Sequence, residues 1–243
     1  MNGCHVRALL MGGQACVLYG AAEFSRDVDF AILADASNLR RLRRALDELQ
    51  AEQVNVPPLS LQHLVHGHSI HFRCHIPAAE GLRVDVMAKM RGVAPFPELW
   101  KRRTTVRNRA GETIEVLALP DLVHAKKTQS DKDWPMLRRL LEADYAAAQG
   151  RGNKQRVEFW LRELRTPQLL SAVATAHPKL AGRVAQERPL LEFALKSQEP
   201  KLREALAREE SVERQRDRTY WQPLKAELEK LRHSLRGSAR GAA

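Results

Sequence analysis

Long apolar runs, paired cysteines and an internal repeat are all missing from this 243-residue chain. No stretch approaches the roughly 18–20 apolar residues that a membrane-spanning helix requires, so neither a span nor a membrane partner is expected. The amino-terminal MNGCHVRALLMGG reaches Gly12 and Gly13 before a secretory hydrophobic core can develop, which predicts a soluble, cytoplasmic protein. Cys4, Cys16 and Cys74 are odd in number and widely spaced, a pattern of reduced thiols rather than a disulfide framework. What is present is ordinary globular material: 44% hydrophobic and 28% charged residues, too apolar for a disordered chain. A chain of this length buries roughly 70–75% of its unfolded surface and needs no covalent staple.

Charge is unevenly spread. The net charge is +11, with 20 basic and 17 acidic side chains in residues 1–150 and 20 basic and 12 acidic in residues 151–243. The +8 of the second segment raises the local concentration of polyanions, whether RNA, nucleotide or an acidic protein, without choosing among them. A solvated helical face rich in arginine gives the same count.

Along the chain, VRALLMGG reads as a buried strand ended by a glycine pair, and VDFAILA as a second strand. Asp35, Ser37 and Asn38 supply helix-start chemistry for SNLRRLRRALDELQAE, whose leucines 39, 42, 46 and 49 recur at helical spacing. SIHFRCHI and LRVDVMAKM are two further strands joined by PAAEG, and TTVRNRAGETIEVLAL predicts a hairpin turning at Ala110-Gly111. Short helices are expected at PFPELWKRR, from Pro120-Asp121, and from Trp134-Pro135. The expected class is α/β (α+β), a small mixed β-sheet with helices packed on it in residues 1–148, then a basic helical domain in residues 154–243. QGRGNKQ is the linker between them, and Pro167, Pro178, Pro189 and Pro200 break the helical part.

The residues that carry chemistry are acids on strands. Asp27 and Asp29, two apart at the start of a strand, leave on one face, and Asp85 lies within Arg83-Val84-Asp85-Val86-Met87. Carboxylates so placed repel unless one is protonated or a divalent cation neutralises them. If the two strands are neighbours, the three acids converge into an all-oxygen site suited to Mg²⁺ or Mn²⁺. Upstream, Gly12-Gly13 lets backbone amides approach a phosphate, and Ser25 adds a hydroxyl donor.

Met11-Gly12-Gly13, thirteen residues, Asp27-Val28-Asp29-Phe30, and a later Val84-Asp85-Val86 together resemble the signature of the nucleotidyltransferase superfamily that includes DNA polymerase beta. ALPDLVHAKKTQSDKDWPMLRRLLE resembles the helix pair that follows the sheet in bacterial members, including AbiEii-type toxins, so the likeness covers about residues 6–145. The resemblance implies a nucleotidyltransferase core in which Asp27 and Asp29 hold the metal of a nucleoside triphosphate (NTP) and share a second with Asp85. An NMP group would pass to a hydroxyl of RNA, protein or a small molecule, with loss of pyrophosphate. Gly12, Gly13 and Ser25 would contact phosphate oxygens, and Lys126 or Lys127 would offset triphosphate charge. Many relatives carry an arginine two residues before the serine. Glu23 stands there in this chain and Arg26 follows the serine, which leaves open an unusual donor, Arg26 as the substitute, or a degenerate site. Two further readings remain open: a toxin of a toxin-antitoxin pair, and a catalytically inactive module of the same fold that binds nucleic acid or a protein.

Two other clusters invite attention. HLVHGHSIHFRCH gathers His63, His66, His68, His71, Cys74 and His75, but on a strand His71 and His75 share one face while Cys74 takes the other. A four-ligand zinc site would therefore need help from the preceding loop, and histidines lining a polar cleft or simply exposed are the favoured reading. Trp160, Tyr220 and Trp221 could stack on bases, though core packing is the commoner role.

Overall fold

β1 (Ala8–Met11) is fully buried and runs straight into α1 (Gly12–Leu18), and the chain returns along β2 (Asp27–Ile32). This computed structural model describes every residue except 2, 23, 109, 242 and 243, and of 235–241 it describes the backbone alone. α2 (Ala36–Glu48) begins as expected, with the Asp35 carboxylate accepting from the Asn38 amide at 2.7 Å. Asn38 is itself fully buried and tolerated because its side chain is saturated. It accepts from Arg7 N at 2.8 Å and donates to the carbonyls of Arg7 and Leu33 at 3.0 and 2.9 Å.

The chain continues through a two-residue strand β3 (Glu52–Gln53), α3 (Leu61–His66), β4 (Ile70–Arg73) and β5 (Arg83–Met87). After α4 (Phe96–Arg102), the hairpin β6 (Thr104–Arg107) and β7 (Thr113–Val116) precedes α5 (Leu119–Ala125). The strands form one mixed seven-stranded sheet in the order β3-β4-β5-β2-β1-β7-β6. β2 is parallel to β5 and antiparallel to β1.

Strand alternation divides the sheet into two faces. Ala8, Ile32, Val84, Val86, Ile70 and Phe72 pack with Leu39, Leu42, Ala45 and Leu46 of α2 into one apolar cluster. Each leucine buried there stabilises the fold by about 2 kcal/mol. On the opposite face stand the residues of the other parity, among them Asp27, Asp29, Arg83, Asp85 and His71.

The helical elements that follow are α6 (Asp133–Ala147), α7 (Lys154–Glu163), α8 (Pro167–Ala176), α9 (Pro178–Val184), α10 (Leu191–Leu195) and α11 (Glu199–Gly241). Pro167 and Pro178 open α8 and α9, where a missing amide costs nothing, so the expected breaks are helix starts. Trp160 is fully buried and donates its indole N–H to Asp144 at 2.7 Å, which makes it a core residue rather than a base-stacking surface.

The chain divides into two compact units, Met1–Leu18, Glu23–Ala125 and Thr219–Ala243 in the first, Tyr19–Ala22 and Lys126–Arg218 in the second. The linker expected between residues 148 and 154 falls within the second unit, and the last part of α11 belongs with the sheet. Among the described residues no helix is long and apolar enough to cross a membrane.

Candidate active site

Parallel pairing of β2 with β5 sets Asp27 beside Arg83 and Asp29 beside Asp85, so three carboxylates separated by up to 58 positions share one sheet face. Like charges directly opposed on neighbouring strands cost stability. Asp27 and Asp29 are half-buried, and Asp85 is 8% exposed.

The glycine pair is shaped around this acid face. Gly12 has φ +66, and a Cβ added to it would lie 1.8 Å from Asp29 Oδ2, so no other residue fits without moving that carboxylate. A Cβ on Gly13 would meet Ser25 Oγ at 2.3 Å. Ser25 Oγ donates to the Asp27 carbonyl at 3.2 Å, and Gln14 Nε2 donates to the Ser25 carbonyl at 2.8 Å. The loop that carries Ser25 is thereby tied both to the first turn of α1 and to the start of β2. Gly12 thus adjoins Asp29, Gly13 adjoins Ser25, Ser25 bonds to the Asp27 backbone, and strand register sets Asp29 opposite Asp85. Arg26 is exposed beside them, and Glu23 lies outside the described residues.

Two residues of the site were not foreseen. Arg83 forks onto Asp85, donating from Nε to Oδ1 at 2.9 Å and from Nη2 to Oδ2 at 2.8 Å. His71 on β4 reaches the same carboxylate, with Nδ1 2.8 Å from Oδ1. Burial alone would raise the Asp85 carboxyl, but the hydrogen bonds from His71 and Arg83 outweigh it and hold the group below the usual carboxylate range. The hydrogen bond to Asp85 in turn raises the Arg83 guanidinium against its partial burial, and the charges of Asp85, Asp27 and Asp29 add to the effect. The alternation rule could have found Arg83, two residues before Asp85 on one strand. His71 could be found only from the register of a third strand, which pairs it with Asp85.

Lys126 and Lys127 belong to the second unit. There the Lys126 ammonium pairs with Asp133 at 2.7 Å and that of Lys127 with Glu163 at 2.7 Å, Glu163 being buried. Both lysines therefore hold helix ends in that unit.

The histidine-rich stretch does not gather into one centre. Cys74 is fully buried in the apolar cluster, where desolvation pushes its thiol up, and it offers no ligand to the histidines. His75 Nδ1 lies 3.2 Å from Glu80, and His71 belongs to Asp85. The described cysteines are all free and buried.

Chemically, the acid face offers a cluster of carboxylate oxygens next to backbone and hydroxyl donors at the start of α1. Among the described residues the three aspartates do not form a group whose ligand atoms all lie within 4.8 Å of one another, and Asp85 is held by Arg83 and His71, so a hard divalent cation would have to displace those side chains and draw the carboxylates together. No protein-family model matches this chain, and none of the curated proteins matches it in sequence.

Proposed function

We propose that the acid face is a nucleotidyl-transfer site that takes a nucleoside triphosphate with Mg²⁺ or Mn²⁺ and passes its NMP group to a hydroxyl acceptor. The observation that carries this reading is the placement of Asp29 against Asp85 by strand register, next to glycines that only a bare backbone can occupy. Asp27, Asp29 and Asp85 would hold the metal, which when bound polarises the phosphates and lowers the pKa of the attacking hydroxyl. In the transfer, the bond from the acceptor oxygen to the α-phosphorus forms, the bond from that phosphorus to the bridging oxygen breaks, and pyrophosphate leaves.

The chain's own groups have separate tasks. The α1 backbone at Gly12 and Gly13 and the Ser25 hydroxyl would orient phosphate oxygens. Asp85, held below the ordinary carboxylate range, is a poor final resting place for the hydroxyl proton, which would go on to water. Arg83 acts as the counter-ion of the resting site. Its side chain is 44% exposed, so the fork can open and present the guanidinium to phosphate oxygens instead. The surplus of basic over acidic side chains in residues 151–243 favours a polyanionic acceptor such as RNA.

The Arg83 fork also favours a second reading, an inactive module of the same fold in which Asp85 is committed to Arg83 and His71 and the basic helices bind nucleic acid or an acidic protein. Incubation with each α-labelled NTP, Mg²⁺, and total RNA or cell extract separates the two. Transfer is expected in wild type and is lost in Asp29→Asn. Absence of label on any acceptor, with RNA binding intact in both proteins, would establish the inactive module. Growth arrest on expression that Asp29→Ala abolishes is the outcome expected of a toxin.

A further inference from the structure

We infer that His66, His68 and Glu227 form a zinc site that staples the end of the long helix to the sheet unit. Two ligand atoms come from the residues flanking Gly67 and the third from α11, and all lie within 4.8 Å of one another. His66 Nδ1 is 3.1 Å and His68 Nε2 is 2.9 Å from the same carboxylate oxygen, Glu227 Oε2. Tetrahedral zinc with bonds near 2.0–2.1 Å places its ligand atoms about 3.3 Å apart, so both separations need to open by only a few tenths of an ångström.

The local backbone explains the convergence. α3 ends at Gly67, whose φ of +112 makes the turn, with Gly67 N donating to the His63 and Leu64 carbonyls and His68 N to the His63 carbonyl. That turn directs the side chains on either side of Gly67 toward one point. From the other direction, Leu224 and Tyr220 of α11 approach Gly67, with Leu224 Cδ1 3.5 Å and the Tyr220 hydroxyl 3.8 Å from where a Cβ would stand. Residues 220, 224 and 227 fall on one helix face, so seating Leu224 delivers Glu227 to the two imidazoles. His68 is 2% exposed, which places one ligand in a dry environment, while His66 and Glu227 are open enough for a cation to enter. The His63 ring packs edge-on against His68 at 5.8 Å, and His63 is itself fixed through Nδ1 by the Pro58 carbonyl at 2.8 Å.

Two imidazoles and one carboxylate select zinc and its neighbours over Mg²⁺, and three protein ligands leave a fourth position for water or a further ligand. The donor set thus differs from the three carboxylates of the sheet face, and the two sites are expected to take different metals.

The test uses the full chain, dialysed against a chelator and titrated with Co²⁺ and then Zn²⁺. One equivalent of Co²⁺ should give the visible bands of a low-coordinate, nitrogen-ligated ion. Stoichiometric Zn²⁺ should displace it, and millimolar Mg²⁺ should not. His66→Gln and Glu227→Gln each remove a partly exposed ligand and should weaken Zn²⁺ binding by about tenfold or more. The band should persist in the Asp27→Asn, Asp29→Asn double variant. The inference is overturned if wild type shows no such band, if the His66 and Glu227 variants bind Zn²⁺ as wild type does, or if only the aspartate variant loses it. Should His68→Ala fail to fold, the two exposed-ligand variants still decide the matter.

Discussion

Both units bury charge, and they treat it in opposite ways. In the helical unit Glu209 accepts from Arg165 at 2.8 Å and from Arg188 at 3.1 and 2.8 Å. Arg188 also donates to the carbonyls of Leu161 and Leu164, closing the carboxy-terminal end of α7. Unlike charges face each other there, and backbone acceptors take further donors of Arg188, although Arg165 Nε stays buried without a hydrogen-bond partner. In the sheet unit Asp29 stands opposite Asp85, and the glycine that would shield them has no side chain. Asp121, also in the sheet unit, is buried with both oxygens taken by Arg102 at 2.6 Å, as those of Asp85 are by Arg83; what sets Asp85 apart is the second carboxylate opposite it on β2. Juxtaposed like charges persist where binding, not folding, uses them.

This contrast can be broken at several points. The largest effect is expected for Asp29→Asn. Nucleotidyl transfer, followed as label incorporation, should fall about a thousandfold, near 4 kcal/mol of transition-state stabilisation. The melting temperature should change little, because the repulsion opposite Asp85 is removed together with the attraction between Asp29 and Arg83. A structural acid would show the reverse, with stability lost.

Next comes Glu209→Gln, which leaves Arg165 and Arg188 without their carboxylate and should cost about 3 kcal/mol in calorimetric unfolding. Its pH dependence has a definite sign. Burial raises the Glu209 carboxyl, but Arg188 and Arg165 outweigh it and hold the group below its ordinary 4.5. A depressed folded pKa contributes stability that is fully present above the unfolded value and is lost as pH falls through the folded one. Wild type should therefore melt earlier as pH drops below about 4.5, and Glu209→Gln should lose much of that acid sensitivity.

Gly12→Ala forces a Cβ into the Asp29 carboxylate from a positive φ. A cost of about 1–3 kcal/mol is expected, together with loss of transfer, read by thermal melts and the same labelling assay. Smallest is Arg208→Ala, which removes an exposed pair with Glu204 and should shift stability by less than about 0.5 kcal/mol in a denaturant titration.

Much of this was legible in the sequence because it depends on local rules. Alternation put Asp27 and Asp29 on one face, leucine spacing and the Asp35 cap gave α2, and the prolines read as breaks fall at the starts of α8 and α9. The hairpin turned where Gly111 allows φ +83. What stayed hidden were partners chosen by tertiary contact. His71 meets Asp85 only through the β4–β5 register, and Lys126 and Lys127 find Asp133 and Glu163 in the helical unit. Glu227 meets His68 across 159 positions, because the last part of α11 belongs with the sheet, a placement that no composition shift announces.

The central claim is that the acid face exchanges its resting partner Arg83 for a metal-bound triphosphate. Calorimetric titration of each of the four NTPs with Mg²⁺ into wild type and Asp29→Asn tests it most directly. The account predicts Mg²⁺-dependent binding of at least one NTP to wild type, absent from Asp29→Asn. Binding of none of them to wild type, or equal binding to both proteins, would contradict it.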